Sequence, residues 1–329
     1  MNKFLKTAAK MPFRSDASRG AHRRSLTAFW AICGIVLLNA LCAQAATYRE
    51  GNMAYRQGDY GRAYSIMRTL ATQGEARAQS NLALMYRAGK GVTQDPAEAV
   101  KWYRKAADQG DVSGQFGLGY CYEEGQGVRQ DFAQALKWYR LASEQGYPYA
   151  QVNLGAMYST GRGVAQDHAA AVAWHRLAAD QGHAAGQYNL AVLYDNGQGV
   201  AQSQTEALKW YRLAAEQGDP EAQNNLAMMH QTSHGVARNF GEAIRLYRLA
   251  AIQGNAESQN NLGVLYATGQ GVAEDNVRAY MWFTLSAESG NPHGAVNRTM
   301  VAESMTPQKI REAQNLVREC RQRAPRGCD

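Results

Sequence analysis

The chain has 329 residues, 45% of them hydrophobic and 19% charged, with 35 basic and 28 acidic side chains. Seven of the basic residues and one of the acidic ones fall in the first 45, which leaves 28 against 27 in the remainder. That balance provides no excess positive charge to follow a phosphate backbone, so nucleic acid is not an expected partner.

The chain opens on Lys3, Lys6, Lys10, Arg14, Arg19, Arg23 and Arg24, then an apolar run from Leu26 to Cys42, then Ala43-Gln44-Ala45. A basic lead, an apolar run and a small-x-small site follow each other in the order of an export signal. Residues 1–45 are therefore read as a signal peptide, either cleaved after that site or retained as an anchor. The run is only slightly short of the roughly 20 residues of a membrane span. Leu41 before Cys42 argues against a lipoprotein signal, and Arg23-Arg24-Ser25-Leu26 weakly resembles a twin-arginine leader. The expected location is periplasmic or secreted.

Beyond the leader the chain repeats itself. Gly74, Gly110, Gly146, Gly182, Gly218, Gly254 and Gly290 stand 36 residues apart, each after a Gln or, at Gly290, a Ser. Ala99, Ala135, Ala171, Ala207, Ala243 and Ala279 keep the same interval, as do Trp102, Trp138, Trp174, Trp210 and Trp282, with Leu246 in the missing slot. The pairs Gly89/Gly91, Gly125/Gly127, Gly161/Gly163, Gly197/Gly199 and Gly269/Gly271 recur too, and Ser233-His234-Gly235 breaks the series once. A fixed period over this length means stacked copies of one unit. The expected organisation is a degenerate first unit over 46–74, six full units over 75–290 and a helical cap over 291–329.

One unit, Asp111 to Gly146, shows the pattern. Leu118, Cys121 and Tyr122 give helical spacing over Val112–Glu124, and Gly125 ends that helix because glycine takes the left-handed conformation cheaply. Asp131 is an N-cap for the next helix, with Asp95, Asp167, Ser203, Asn239 and Asp275 in the equivalent slots. Over Phe132–Gln145, the residues Ala135, Trp138, Tyr139, Ala142 and Ser143 form one apolar face. Each unit is therefore helix, turn, helix, turn, and stacking buries the faces that one unit cannot bury alone. At the end, Pro292 to about Ser304 reads as one more first helix. Thr306-Pro307 starts a last one, with Ile310, Ala313, Leu316 and Val317 inward and Gln308, Arg311, Glu312, Arg318 and Glu319 outward. Cys121 occupies a core slot. Cys320 and Cys328 either form a bond that closes the tail, as an oxidising compartment allows, or remain free thiols.

Ala207-Leu208-Lys209-Trp210-Tyr211-Arg212-Leu213-Ala214-Ala215-Glu216-Gln217-Gly218 fits the pattern A-x-x-W-Y-R-x-A-A-x-Q-G. Together with L-x-x-x-Y-x-x-G-x-G-V before it, this resembles the Sel1-like repeat family, strongly over Glu75–Gly290 and weakly over Tyr48–Gly74. The 36-residue period separates it from tetratricopeptide repeats at about 34. The resemblance implies an all-α fold, an α/α superhelical solenoid of 36-residue helix-turn-helix repeats. It also implies a non-enzymatic role as scaffold, adaptor or regulator in the bacterial envelope. A cysteine-rich branch of the family implies the alternative, a hydrolase directed at cell wall or β-lactams, but its cysteine pairs are missing here.

No cofactor or metal site is expected. The Gly-x-Gly turns follow helices and lack the third glycine of a dinucleotide fingerprint. His230 and His234 have ligand spacing but no third partner, and His168 and His175 lie roughly 10 Å apart along a helix axis. Arg104, Arg140, Arg176 and Arg212 are expected to pair with Asp108, Glu144, Asp180 and Glu216 four residues on, as a solvated face.

The expected site is a surface for a protein partner. On the first helices, the slots that vary between units lie at i, i+3, i+7 and i+10, one helix face. They hold Arg77, Leu84 and Arg87 in the first unit, Phe116 and Tyr120 in the second, Tyr149 and Val152 in the third, and Tyr188 and Val192 in the fourth. Aromatic anchors with a polar surround are the usual centre of an interface. The expectation is that the first helices line the concave face and that a partner segment lies across units two to four. The alternative reading is that these side chains pack against the neighbouring helix.

Overall fold

The structure, a computed structural model, describes residues 47–323 and Cys328. The leader assigned to residues 1–45 lies outside the described residues. The fold is an all-α solenoid, with no strand among the described residues. None of their helices is long and apolar enough to cross a membrane.

The chain divides into two compact units, with the boundary between Asp95 and Pro96. The first contains α1 (47–56), α2 (Tyr60–Thr72) and α3 (Ala76–Ala88), and α2 packs on α3. The second runs through α4 (Pro96–Asp108), α5 (Val112–Glu124), α6 (Phe132–Glu144), α7 (Pro148–Thr160), α8 (His168–Asp180) and α9 (Ala184–Asn196). It continues through α10 (Gln204–Glu216), α11 (Pro220–Thr232), α12 (Phe240–Ala251), α13 (Ala256–Thr268), α14 (Asn276–Glu288), α15 (Pro292–Glu303) and α16 (Pro307–Arg323). From α5 to α15 every helix packs on the one before it, and α16 folds back onto α14. The odd-numbered helices α5 to α15 are the first helices of their pairs, and the even-numbered ones the second.

Local chemistry sets the boundaries. Side-chain oxygens of Asp131, Asp167, Ser203, Asn239 and Asp275 accept the backbone N–H three residues on, at 2.9–3.3 Å, and so start the second helices. The two glycines of each turn have different tasks. Gly125 closes α5 with φ at 68°. Gly127, at φ 72°, lies so near the start of α4 that a Cβ there would come within 2.0 Å of the Pro96 carbonyl oxygen. In the fifth repeat Ser233 takes the closing position with φ at 66°, the one described non-glycine residue in that region.

The apolar stripe is buried as its spacing requires. Ala135, Tyr139 and Ala142 are inaccessible, and Trp138, Trp210 and Trp282 are buried, whereas Trp102 and Trp174 are half-buried. The glutamine before each glycine has a task as well. Gln145, Gln181, Gln217 and Gln253 donate from Nε2 to Oε1 of Gln115, Gln151, Gln187 and Gln223, each 30 residues earlier, at 2.7–3.0 Å. The receiving amides of Gln151, Gln187 and Gln223 in turn donate to the carbonyls of Ser143, Ala179 and Ala215. The result is a partly buried amide ladder, in which the glutamine pairs lie within a repeat and the carbonyl bonds tie each repeat to the one before it.

At the end of the chain, Ala313 and Val317 of α16 are buried and Ile310 and Leu316 pack against the same core, while Gln308, Arg311, Glu312, Arg318 and Glu319 face solvent. Cys320 and Cys328 form a disulfide with their Cα atoms 4.4 Å apart. Cys121 is buried and unbonded.

Candidate functional site

The arginine register corrects one expectation. Arg104, Arg140 and Arg176 do not pair with the acids four residues on. Their guanidinium groups donate instead to the phenol oxygens of Tyr122, Tyr158 and Tyr194, as Arg248 does to Tyr266, always 18 residues ahead. The Arg140–Tyr158 bond is 2.7 Å. The phenol lies on the next first helix, so the bond ties one pair to its neighbour, which an intrahelical ion pair does not do. Arg212 is the exception, because His230 stands in the tyrosine slot.

The first helices carry the candidate surface. Successive ones touch in places, α7 with α9 and α13 with α15. In the second unit Phe116 is half-buried. Its ring lies 5.7 Å from that of Tyr139, 5.3 Å from Tyr147 and 6.2 Å from Tyr149. Tyr149 is 54% exposed and meets the His183 ring edge-on at 4.5 Å. Tyr120 and Val152 are half-buried. Tyr188 is half-buried against Tyr211 at 6.0 Å, and Val192 packs on the same core. The structure thus brings Phe116 and Tyr149 into one cluster and sets Tyr188 apart from it.

In the first unit Arg77 is exposed, and Leu84 lines a small cavity of about 80 Å³ with Tyr55 and Met67. Arg87 is half-buried, and its carbonyl accepts from the Gln94 amide at 2.9 Å.

Two members of the aromatic cluster were not singled out in the sequence. Tyr147 and His183 occupy N-cap positions, of α7 and α9, where neither side chain makes a cap hydrogen bond. Asp111, Asp219, Asn255 and Asn291 do cap from the same slot. Giving up such a cap costs about 1 kcal/mol. The signal was available: aromatic rings standing in a slot that otherwise holds cap-forming residues or Glu75.

Farther along, polar contacts link successive first helices. Ser258 donates to Asn224 at 2.8 Å, Asn255 to Glu221 at 2.8 Å and Asn297 to Asn260 at 2.8 Å. Glu123, in one of the variable slots, is held by the Tyr139 hydroxyl at 2.8 Å and by Arg162 at 3.2 Å. Burial, and then the charges of Glu221, Asp219 and Glu257, push the Tyr188 phenol upward. Those acids therefore lie near Tyr188. Burial lowers the His183 imidazole and keeps it neutral near pH 7. Among the described residues, no group of three or more His, Cys, Asp or Glu side chains could hold a metal ion.

The pattern of the Sel1 repeat matches six consecutive stretches, residues 76–111, 112–147, 148–183, 184–219, 220–255 and 256–291. A Sel1 repeat protein from Oxalobacter formigenes, known by crystal structure, is 31% identical with a TM-score of 0.68, over 73% of this chain and 96% of that one. A protective antigen present in uropathogenic Escherichia coli strains, described as displaying an SLR fold, is 27% identical with a TM-score of 0.48, over 87% of this chain and 85% of that one. No curated protein matches the chain.

Proposed function

The chain belongs to the Sel1 repeat family, whose members are generally protein-interaction scaffolds, and from that premise we propose a specific role. It is a non-enzymatic adaptor or regulator of the bacterial envelope that binds a protein partner along the first helices, on the concave face of the superhelix. One observation carries the reading: Phe116, Tyr147, Tyr149 and His183 form an aromatic cluster, partly open to solvent, at positions where two helices forgo their caps. A local rule broken without a stabilising return is where function is expected. Large aromatic anchors are also the residues that dominate binding energy at interfaces. The envelope location rests on the leader read in residues 1–45.

Tyr149, at 54% exposure, suits a test because its loss leaves the core intact. The variant Tyr149→Ala is expected to retain the melting temperature of the parent and to lose capture of the partner from envelope extract. Undiminished capture by the folded variant would refute the proposed surface.

A further inference from the structure

The fifth repeat departs from the others at several slots, and the departures have two destinations. Of the turn residues, His234 binds the turn to the fourth repeat, bonding to Asp195 at 3.0 Å and to Gln204 at 3.1 Å, while Ser233 accepts from Arg238 within the fifth. The other two, His230 for tyrosine and Leu246 for tryptophan, both line one cavity of about 440 Å³ among α10, α11 and α12. That volume lies within the range of small-ligand pockets.

The cavity wall shows what the repeat is missing. Leu249, half-buried, provides apolar surface, and Leu226 and Leu246 are buried behind it. Arg212 lines the same space and makes no hydrogen bond to the protein, unlike Arg104, Arg140, Arg176 and Arg248, which each bind a phenol oxygen. Nδ1 of His230 is shielded from solvent and has no hydrogen-bond partner. Glu242, whose carboxyl both His230 and Arg212 lower by charge, is already held by Arg245 through two bonds of 2.8 and 2.7 Å. Glu216, also on the wall, forms no ion pair with Arg212. A guanidinium therefore lines one partly apolar cavity with the phenol that binds it in the other repeats gone.

We propose that this cavity binds an aromatic ring carrying a phenol or carboxylate oxygen, the ring against Leu249 and the oxygen accepting from Arg212. The ligand supplies in trans the ring and oxygen that tryptophan and tyrosine supply in the other repeats. This site is separate from the aromatic cluster on the first helices, and neither reading depends on the other.

The test uses the full chain and two probes, 4-hydroxyphenylacetate and N-acetyltyrosine amide, followed by saturation-transfer NMR and calorimetry. The variant His230→Tyr with Leu246→Trp restores the residues of the other repeats. It is expected to fold with a melting temperature no lower than that of the parent and to bind at least about tenfold more weakly, a loss of about 1.4 kcal/mol. Arg212→Gln, a change at an exposed side chain, gives the same loss and is informative even if the double variant folds poorly. Binding of the acid alone identifies a free aromatic acid as the ligand class. Binding of the amide, with or without the acid, identifies a tyrosine side chain. If neither probe binds at millimolar concentration, or if Arg212→Gln binds as the parent does, the proposal is wrong.

Discussion

Gln259 is 5% exposed, and its Oε1 has no hydrogen-bond partner, because the residue 30 positions later is Ser289 where the other repeats have glutamine. Ser289 closes α14 with φ at −78°, matching Gln145 and Gln181 at −82° and −80°, so the backbone accepts the longer side chain. Ser289→Gln should complete the ladder and add about 1 kcal/mol, the net worth of one hydrogen bond. Urea denaturation showing no gain would mean that the rung contributes nothing. His175 stands in the slot that holds Tyr139 and Tyr211 in other repeats, and it is 2% exposed. Burial lowers its imidazole from 6.5 to about 4. Between those values the unfolded chain binds the proton and the folded one does not. The stability contribution is therefore full above pH 6.5 and is lost as the pH falls toward 4, by up to about 3 kcal/mol. His175→Phe, with the residue type that Phe283 brings to this slot, should flatten that part of the stability–pH curve. An unchanged slope would show that other groups control it.

At the scale of the helix, the positive φ of Ser233 places a side chain where glycine costs least, and Ser233→Gly is expected to raise stability by about 1 kcal/mol. A lower melting temperature would show that the Arg238–Ser233 bond, at 3.2 Å, outweighs the backbone cost. Trp138 is 6% exposed at the centre of its helix pair, and Trp138→Ala should cost about 3–5 kcal/mol. A loss within 0.5 kcal/mol, the size expected of a surface site, would contradict its place in the core. Helix limits, caps, turn glycines and the buried face were legible because each follows from residues a few positions apart and the repeat shows the pattern six times. The amide ladder and the arginine–phenol bonds were not. Their partners lie 30 and 18 residues apart on neighbouring helices, so aligning the repeats identifies the slots but not which slots meet. The ion pairs expected at i, i+4 failed for the same reason: the phenol of the next pair lies within reach and competes for the guanidinium. Within the candidate site, comparing variable slots found Phe116 and Tyr149. It missed Tyr147 and His183, because a cap position looks structural until the cap bond is seen to be absent.

At the scale of the molecule, a repeat protein divides its residues between those that reproduce the fold and those free to differ. In the second unit the alanines, tryptophans, turn glycines and ladder glutamines serve the fold, while the aromatic cluster on α5, α7 and α9 does not follow from it. Phe116 and Tyr188 also contact the core through Tyr139 and Tyr211, so their truncation tests packing as much as binding. Tyr149 is the cleaner probe. The most direct measurement places a photo-crosslinking benzoylphenylalanine at Tyr149 and, as control, at Lys137 on the exposed side of α6, in cells that express the full chain. The account predicts a discrete adduct with one partner protein from position 149 and none from position 137. Equal labelling from both positions, or none from position 149 in a protein that still folds, would contradict it.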